Sequence, residues 1–197
     1  MNKKFDPNKI SRKEILNYLN QSSEVAEYQL TLIDEIAKVS EMCIETLNSG
    51  GKIIFCGNGG SASDSQHLAA ELIGRFMKNR KPIPAISINT DTSVLTSLSN
   101  DFGYEYVFSK QIEALGNEKD ALFLMTTSGK SKNIIEAGNK AEEMGLNVIS
   151  MAGNNIEDLK AFSKLIISIP STVPGIVQQA HITIGQIICM NIENSLV

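Results

Sequence analysis

The sequence lacks any apolar run long enough to cross a membrane, since no window approaches the ~18 consecutive apolar residues of a transmembrane helix. Its first ten residues, MNKKFDPNKI, are polar and lack the apolar centre of a secretory signal peptide. There is no linker rich in proline, glycine or serine and no internal repeat. These absences predict a soluble, cytoplasmic protein with no membrane partner, in which residues 1–197 form one globular domain.

Cysteine pairs and an excess of positive charge are also missing. Cys43, Cys56 and Cys189 lie far apart in apolar surroundings without a CxxC motif, which favours buried thiols in a reducing compartment over disulfides. The net charge of −4 argues against nucleic acid as a partner. The basic stretch KNRK at 78–81 is interpreted as a solvated turn.

What is present is an alternation of short apolar runs and helical patterns. Two helices are predicted first, Ser11–Asn20 behind an SRKE capping box and Ser23–Asn48 by apolar spacing. The predicted strands are Lys52–Cys56, Pro84–Ile88, Ala121–Thr126, Asn147–Met151 and Leu165–Ile169. The helical segments between and after them are Ser61–Met77, Ser93–Ser99, Tyr104–Leu115, Ser131–Met144 and Gly175–Asn194. This order predicts an α/β fold, with helices in 1–50 and, in 51–197, a mainly parallel sheet covered on both faces.

Two loops at the carboxyl ends of predicted strands have the same character, GNGGS at 57–61 and TTSGKS at 126–131. Each is rich in glycine and small hydroxyl residues and opens a helix. Ligands of parallel sheets bind at this rim, and helix N-termini offer free N–H groups to anions. Either loop alone could be a tight turn with an N-cap, but the two together predict a phosphate-bearing ligand.

Two familiar phosphate motifs fit these loops poorly. Residues 129–131 end like a P-loop, but Leu124 stands where that motif requires glycine. Residues 57–62 match the loose dinucleotide pattern GxGxxA, but the acidic residue expected about 20 positions later is missing.

His67 and Glu71 are four residues apart in a predicted helix, so both project from one face. This spacing suits two ligands of a zinc ion, and equally a surface hydrogen-bonded pair. In the apolar final helix, His181 is interpreted as a structural histidine. Other polar residues of that helix are Gln178, Gln179 and Gln186.

Four motifs in order resemble the sedoheptulose 7-phosphate isomerases (phosphoheptose isomerases) of the SIS fold: CGNGGSxxDxxHxxxExxxR from 56, NDxGY from 100, TSGxS from 127 and QxxH from 178. The resemblance implies a flavodoxin-like, three-layer α/β/α fold with a five-stranded sheet. It also implies a homotetramer with active sites at subunit interfaces. The reaction would interconvert D-sedoheptulose 7-phosphate and D-glycero-D-manno-heptose 7-phosphate through an enediol, the first step of heptose biosynthesis for lipopolysaccharide or surface glycans.

By position, the resemblance implies roles for individual residues. The phosphate would be held by Ser61, Thr126, Ser128 and Ser131, and the sugar lined by Asn58, Gly59, Gly60, Asn100 and Asp101. Further substrate contacts would come from Glu71, Arg75, Thr127 and Gln178. One Zn²⁺ per subunit would be bound by His67, Glu71, Gln178 and the residue at 186. Glu71 would be the base and the zinc ion would polarise the carbonyl.

The chain departs from the family pattern at two positions. Gln186 stands where the family has a histidine that serves as fourth ligand and second acid/base, and Gln179 stands where the family commonly has glutamate. An amide cannot exchange a proton near pH 7. Three alternatives follow: an isomerase that retains activity, a non-catalytic SIS protein resembling the replication-initiator-associating proteins, or an engineered variant that traps substrate. The presence of His67 and Glu71 favours an enzyme over a binding protein.

Overall fold

The computed structural model describes residues 6–196. Its α-helices are α1 (Arg12–Tyr28), α2 (Ile33–Asn48), α3 (Gly60–Ile73), α4 (Thr92–Phe102), α5 (Ser109–Leu115), α6 (Lys132–Glu143) and α7 (Pro174–Asn194). Its strands are β1 (Ile53–Gly57), β2 (Ala85–Ser87), β3 (Ala121–Thr126), β4 (Asn147–Ala152) and β5 (Leu165–Ser168). Short 3₁₀ turns cover Pro7–Lys9, Gln29–Leu32, Tyr104–Tyr106 and Glu157–Leu159.

The five strands form one sheet in the order β2-β1-β3-β4-β5. Every neighbouring pair is parallel, with Ile53 opposite Ala85 on one side and Ala121 on the other. All five predicted strands are therefore confirmed, as is the parallel arrangement. The loops after β1 and β3 leave neighbouring strands at the same edge of the sheet.

Apolar residues of the strands point alternately into two separate cores. Ile53 and Phe55 pack with residues of α2, α3 and α7, whereas Ile54 and Cys56 pack with residues of α5 and α6. Because both faces are covered, the central strands are buried along their whole length. The result is the predicted three-layer α/β/α arrangement.

The N-terminal helices differ from the prediction in where they divide. The Ser11 hydroxyl accepts the Glu14 amide, as the capping box predicts, but α1 then continues to Tyr28. The polar residues at 20–23 include no glycine or proline, so nothing there breaks the helix. The division comes at the 3₁₀ turn, where the Thr31 hydroxyl donates to the Tyr28 carbonyl.

The basic stretch at 78–81 is not simply a solvated turn. The Arg80 side chain is only 7% exposed and pairs with Glu193 of α7, which is 1% exposed. Helix α3 ends at Ile73 with Gly74 as its C-cap, four residues earlier than predicted, and the Arg80 guanidinium donates to carbonyls of its last turn.

The three cysteines are free and buried, and burial raises the pKa of each thiol. Within residues 6–196, none of the helices combines the length and apolarity needed to cross a bilayer.

Candidate active site

The loop between β1 and α3 depends on two glycines for different reasons. Gly59 has φ +56°, a left-handed conformation that favours glycine. At Gly60, a Cβ atom would lie 2.4 Å from the side-chain amide nitrogen of Gln178, so any other residue would displace that amide from its position against the loop. The Asn89 amide fixes the start of the loop, accepting from the Gly57 N–H (3.2 Å) and donating to the Gly57 carbonyl (2.7 Å). The loop is therefore a fixed structure braced by its neighbours.

The Asn58 side chain is held at the centre of this loop by two partners. It exchanges hydrogen bonds of 2.8 and 2.9 Å with the Asn133 amide of α6. The Tyr104 hydroxyl donates to Asn58 Oδ1 over 3.0 Å, which brings the NDxGY segment against the loop. Asn100 and Asp101, which bond each other over 2.8 Å, lie exposed at the end of α4 just before Tyr104. The structure thus places two separate sequence motifs, GNGGS and NDxGY, beside each other and against α6.

The loop between β3 and α6 folds through its own hydroxyl groups. Thr126 Oγ1 accepts the Gly129 N–H (3.1 Å) and Ser128 Oγ accepts the Lys130 N–H (3.2 Å). Both hydroxyls act here as acceptors, so their O–H protons stay available to a ligand. Ser131 occupies the N-cap of α6 in extended conformation, and among the described residues its hydroxyl caps no amide. Thr126 is buried, whereas Thr127, Ser128 and Ser131 are partly or fully exposed.

His67, Glu71 and Gln186 come together although 119 residues separate the first from the last. His67 Nε2 lies 2.9 Å from Glu71 Oε1 and 3.4 Å from the Gln186 amide nitrogen. The imidazole is half exposed and the carboxylate is 20% exposed, so a ligand can reach both. The predicted neighbourhood of these three residues is present.

This cluster fits a cation on the chemistry of its donors. One ring nitrogen cannot donate to Glu71 and accept from Gln186 at once in a neutral imidazole. A cation bound to Nε2 and Oε1, with the Gln186 amide turned to present its oxygen, satisfies all three groups, and amide orientation is an assignment. Within residues 6–196, no three His, Cys, Asp or Glu side chains cluster for a metal, so glutamine oxygens would complete the set.

Gln178 and Gln179 point to different neighbours. Gln178 lies against Gly60, and within the described chain no hydrogen bond joins it to His67 or Glu71. Gln179 Oε1 accepts the Ser22 hydroxyl of α1 over 2.6 Å, which ties α1 to α7. Arg75 follows the end of α3 and is exposed.

Two buried polar atoms in the described chain lack a partner, and both belong to the helices that carry the site. On α3, burial raises the pKa of Asp64 to about 6, against a lowering effect of His67, and Asp64 Oδ2 is the unpartnered atom. On α7, burial lowers the pKa of His181 to about 4, while its Nε2 bonds the Ala152 carbonyl over 3.3 Å. Because the ring is buried and bonded through Nε2, the interpretation of His181 as a structural histidine is confirmed. Its Nδ1 has no hydrogen-bond partner among the described residues.

The sequence placed Asn89 on the ligand rim without a role and did not single out Asn133. The NDxGY motif had singled out Tyr104, although without a role. Asn89 had a usable signal, because it follows a strand at the predicted ligand rim. Asn133 had none, because it is a buried residue in the first turn of α6 and belongs to none of the motifs.

Comparison with known proteins agrees with this arrangement. Residues 17–153 match the family model of the SIS domain. A phosphoheptose isomerase of Helicobacter pylori (strain P12) is 46% identical over 171 residues, covering 86% of this chain and 89% of that protein.

Two solved structures resemble the whole fold. The phosphoheptose isomerase of Francisella tularensis superposes with a TM-score of 0.90 at 30% identity, covering 94% of this chain and 100% of that one. The phosphoheptose isomerase of Neisseria gonorrhoeae gives 0.87 at 33% identity, covering 93% and 98%. The chain belongs to the SIS domain family and, within it, to the phosphoheptose isomerases.

Proposed function

We propose that this protein is an aldose–ketose isomerase that interconverts D-sedoheptulose 7-phosphate and D-glycero-D-manno-heptose 7-phosphate. The observation that carries the proposal is the cluster of His67, Glu71 and Gln186 next to a hydroxyl-rich loop at the ligand rim of the sheet. The curated relatives and solved neighbours named above are phosphoheptose isomerases, which supports an enzyme over a binding protein.

The phosphate is anchored by the loop after β3 together with the N-terminus of α6. Ser128 and Ser131 carry the exposed hydroxyls there, and the helix end adds free N–H groups and a partial positive charge. Ser61 and Thr126 are almost completely buried, so they contribute by shaping their loops as well as by any direct contact. Anchoring the remote phosphate lets its binding energy position the reacting carbons.

The sugar lies between this anchor and α3. The Asn58 amide, held by Asn133 and Tyr104, faces the sugar with the backbone of Gly59 and Gly60. Asn100, Asp101, Arg75, Thr127 and Gln178 are the remaining proposed contacts. Glu71 takes the proton from one carbon and returns it to the neighbouring carbon, which is the enediol route.

A single Zn²⁺ per subunit, held by His67, Glu71, Gln178 and Gln186, would polarise the substrate carbonyl when bound. Glutamine oxygens bind zinc less well than imidazole, so weaker zinc binding is expected than in a site with histidine at 186. Gln186 cannot transfer protons near pH 7, so Glu71 or water must carry out every proton transfer.

The assembly we propose is a homotetramer with active sites shared between subunits. Along α1, the following turn and the start of α2, large apolar side chains are exposed: Ile15, Leu16, Leu19, Leu30 and Ile33, each more than 50%. In α1 itself, Val25 alone is buried among the described residues. The bond between Ser22 and Gln179 joins this surface to the helix that carries Gln186. Sedimentation equilibrium would give the mass of the assembly; a monomer at micromolar concentration would contradict this proposal.

The product would enter heptose biosynthesis for lipopolysaccharide or other surface glycans. Three free, buried thiols suit the reducing cytoplasm as the site of this reaction. Neither nucleic acid nor membrane is expected as a partner.

The deciding experiment is a turnover assay with sedoheptulose 7-phosphate on the protein as purified, after chelation, and after return of Zn²⁺. Turnover that chelation removes and zinc restores is the expected result. Calorimetric titration with the same sugar phosphate runs in parallel. Binding without turnover in any metal state would contradict the isomerase and favour a phosphosugar-binding protein.

A further inference from the structure

The segment that follows α3, residues 74–81, is fastened to the last turn of α7 by one buried carboxylate. Glu193 is 1% exposed and accepts the Arg80 Nε–H over 3.0 Å. It also accepts three consecutive backbone amides, those of Phe76 (3.2 Å), Met77 (2.8 Å) and Lys78 (2.9 Å). A carboxylate with four donors is a fully satisfied buried charge.

The Glu193 carboxylate remains ionised at neutral pH. Burial acts to raise its pKa, but the hydrogen bonds from Met77, Phe76 and Lys78 and the charge of Arg80 outweigh burial and hold the pKa below its ordinary value.

The Arg80 guanidinium reaches in the other direction, to the C-terminal end of α3. Its Nη2 donates to the carbonyl of Glu71 over 2.7 Å. Its Nη1 donates to the carbonyls of Leu72 (2.8 Å) and Gly74 (3.0 Å). Carbonyls in the last turn of a helix lack amide partners, and a cation is favoured there. Arg80 therefore supplies donors to these carbonyls, including that of Glu71 itself, while the Leu72 carbonyl also accepts the Ile83 amide over 3.0 Å.

Resting on the isomerase function above, we propose that Arg80 and Glu193 are positioning residues of the active site. They join the C-terminal ends of two helices that carry the site. Helix α3 carries His67 and Glu71, and helix α7 carries Gln186. The Arg80 side chain is 7% exposed and that of Glu193 1%, so they act through other residues. The Arg80 bond fixes the Glu71 backbone, and the Glu193 bonds begin at the residue after Arg75.

Positioning explains this ion pair better than stability alone. Buried ion pairs contribute little net stability compared with apolar residues of similar size. In this case the hydrogen bonds end on the backbone of the proposed base and beside a proposed substrate contact. Displacing a reacting group by about 1 Å can cost about 100-fold in rate, so a small shift of α3 against α7 is enough to matter.

The chain offers a matched control at the opposite edge of the sheet. Asp120 is 1% exposed and, like Glu193, accepts backbone amides, those of Lys52 (2.8 Å) and Asn117 (2.9 Å). It also pairs with the Lys52 ammonium over 2.6 Å. Asp120 lies before β3, far from the loops of the site, so it shares the chemistry of Glu193 without its location.

The test compares kcat and KM for sedoheptulose 7-phosphate in Glu193→Gln, Arg80→Lys and Asp120→Asn, at a temperature where thermal unfolding shows each to be folded. We expect kcat to fall about 10- to 100-fold in the first two, with KM changed by less than about threefold. Arg80→Lys keeps the charge beside Glu193 but loses the bond to the Glu71 carbonyl, so it remains informative if Glu193→Gln does not fold. Asp120→Asn should lose stability and keep kcat within about twofold. Equal kcat losses in all three variants, or none, would overturn the proposal.

A second readout is independent of turnover. The chain has only two histidines, so the ring resonances of His67 and His181 can be resolved by proton NMR at fixed pH with chelator present. The His67 resonance should shift in Glu193→Gln and Arg80→Lys and stay in place in Asp120→Asn. If the wild-type protein shows no turnover, the proposed function fails, and these spectra still decide the positioning role: an unmoved His67 resonance in both variants would refute it.

Discussion

The two ends of the sheet differ in how completely their polar groups are paired. At the amino end, Asp120 is enclosed and bonded to Lys52 and Asn117. At the carboxyl end, His67 is half exposed, and the hydroxyl of Ser131 caps no amide in the described chain. Two buried side-chain atoms in residues 6–196 lack a partner, Asp64 Oδ2 on α3 and His181 Nδ1 on α7, and these are the helices that carry the site at that end. The amino end, the closed end of the sheet, contributes stability. The carboxyl end, the open end, keeps polar groups available for a ligand.

The largest effect is expected from removing the proposed base at the open end. Glu71→Gln keeps the shape of the side chain but cannot accept a proton, so kcat should fall roughly 10²–10⁴-fold. Binding of sedoheptulose 7-phosphate should persist, since the loop around Ser131 is untouched. Stopped turnover with an intact calorimetric titration is the expected pair of results. Unchanged turnover in Glu71→Gln would refute the mechanism.

A pH effect should separate the two unpartnered groups of the open end. The pKa of His181 is about 4 in the folded chain and about 6.5 when unfolded, so the unfolded chain binds the extra proton between these values. Stability from this group is therefore complete above pH 6.5 and falls by roughly 3 kcal/mol as the pH drops to 4. Asp64 acts with the opposite sign, because its raised pKa makes the folded chain bind the proton first below pH 6.

Two variants isolate these contributions in urea unfolding at several pH values. His181→Gln retains the Asp64 contribution and should lose less stability than wild type between pH 6.5 and 4. Asp64→Asn retains the His181 contribution and should lose more. If the free energy of unfolding changed with pH in the same way in both variants, the opposite contributions assigned to His181 and Asp64 would be contradicted.

The phosphate anchor is tested by Ser131→Ala. A hydrogen bond to a charged group contributes about 1.5–3 kcal/mol, so KM for the sugar phosphate should rise roughly tenfold or more. Thermal stability should change little, because the hydroxyl caps no described amide. Ser109→Ala on α5, whose hydroxyl donates to the Tyr106 carbonyl, is the control and should leave KM unchanged. Equal KM values in Ser131→Ala and wild type would remove this residue from the phosphate site.

The closed end should show the reverse behaviour. Asp120→Asn weakens the bonds of a buried carboxylate to two backbone amides and should lower the free energy of unfolding by about 1–3 kcal/mol. Urea unfolding measures this loss, and the turnover assay should find no matching loss of rate. A large fall in kcat would mean that the two ends are not separable.

The smallest effect is expected from Gln186→His. An imidazole is a better zinc ligand than an amide, so zinc affinity should rise, by roughly tenfold, and turnover with it. Competition with a chromophoric chelator measures the affinity. No gain in affinity would mean that residue 186 does not contact the metal.

The sequence predicted the sheet well and its helix ends less well. Buried parallel strands read as short apolar runs, so all five were found to within about two residues at each end. The end of α3 was placed four residues too late, since its C-cap is Gly74 and carbonyls of its last turn bond Arg80 from outside the helix. The division between α1 and α2 was predicted at 20–23, where nothing breaks a helix, and α1 in fact continues to Tyr28.

The site residues, too, were predicted where their signal is local and missed where it is not. Residues near each other in the chain, such as His67 and Glu71, were paired correctly from helical spacing. The glycine and hydroxyl loops were placed at the right edge because parallel strands end at a common rim. Asn133, which holds Asn58 from 75 residues away, had no local signal.

By itself, the sequence determined the elements whose cause is local: the strands, the capped start of α1, the glycine turn at 59 and the spacing on α3. Only the tertiary structure decided that Gln186 meets His67 and that Glu193 meets Arg80. The physical reason is that local conformation depends on neighbours a few residues away. Contacts between α3 and α7 depend on how two helices more than 100 residues apart pack on one face of the sheet.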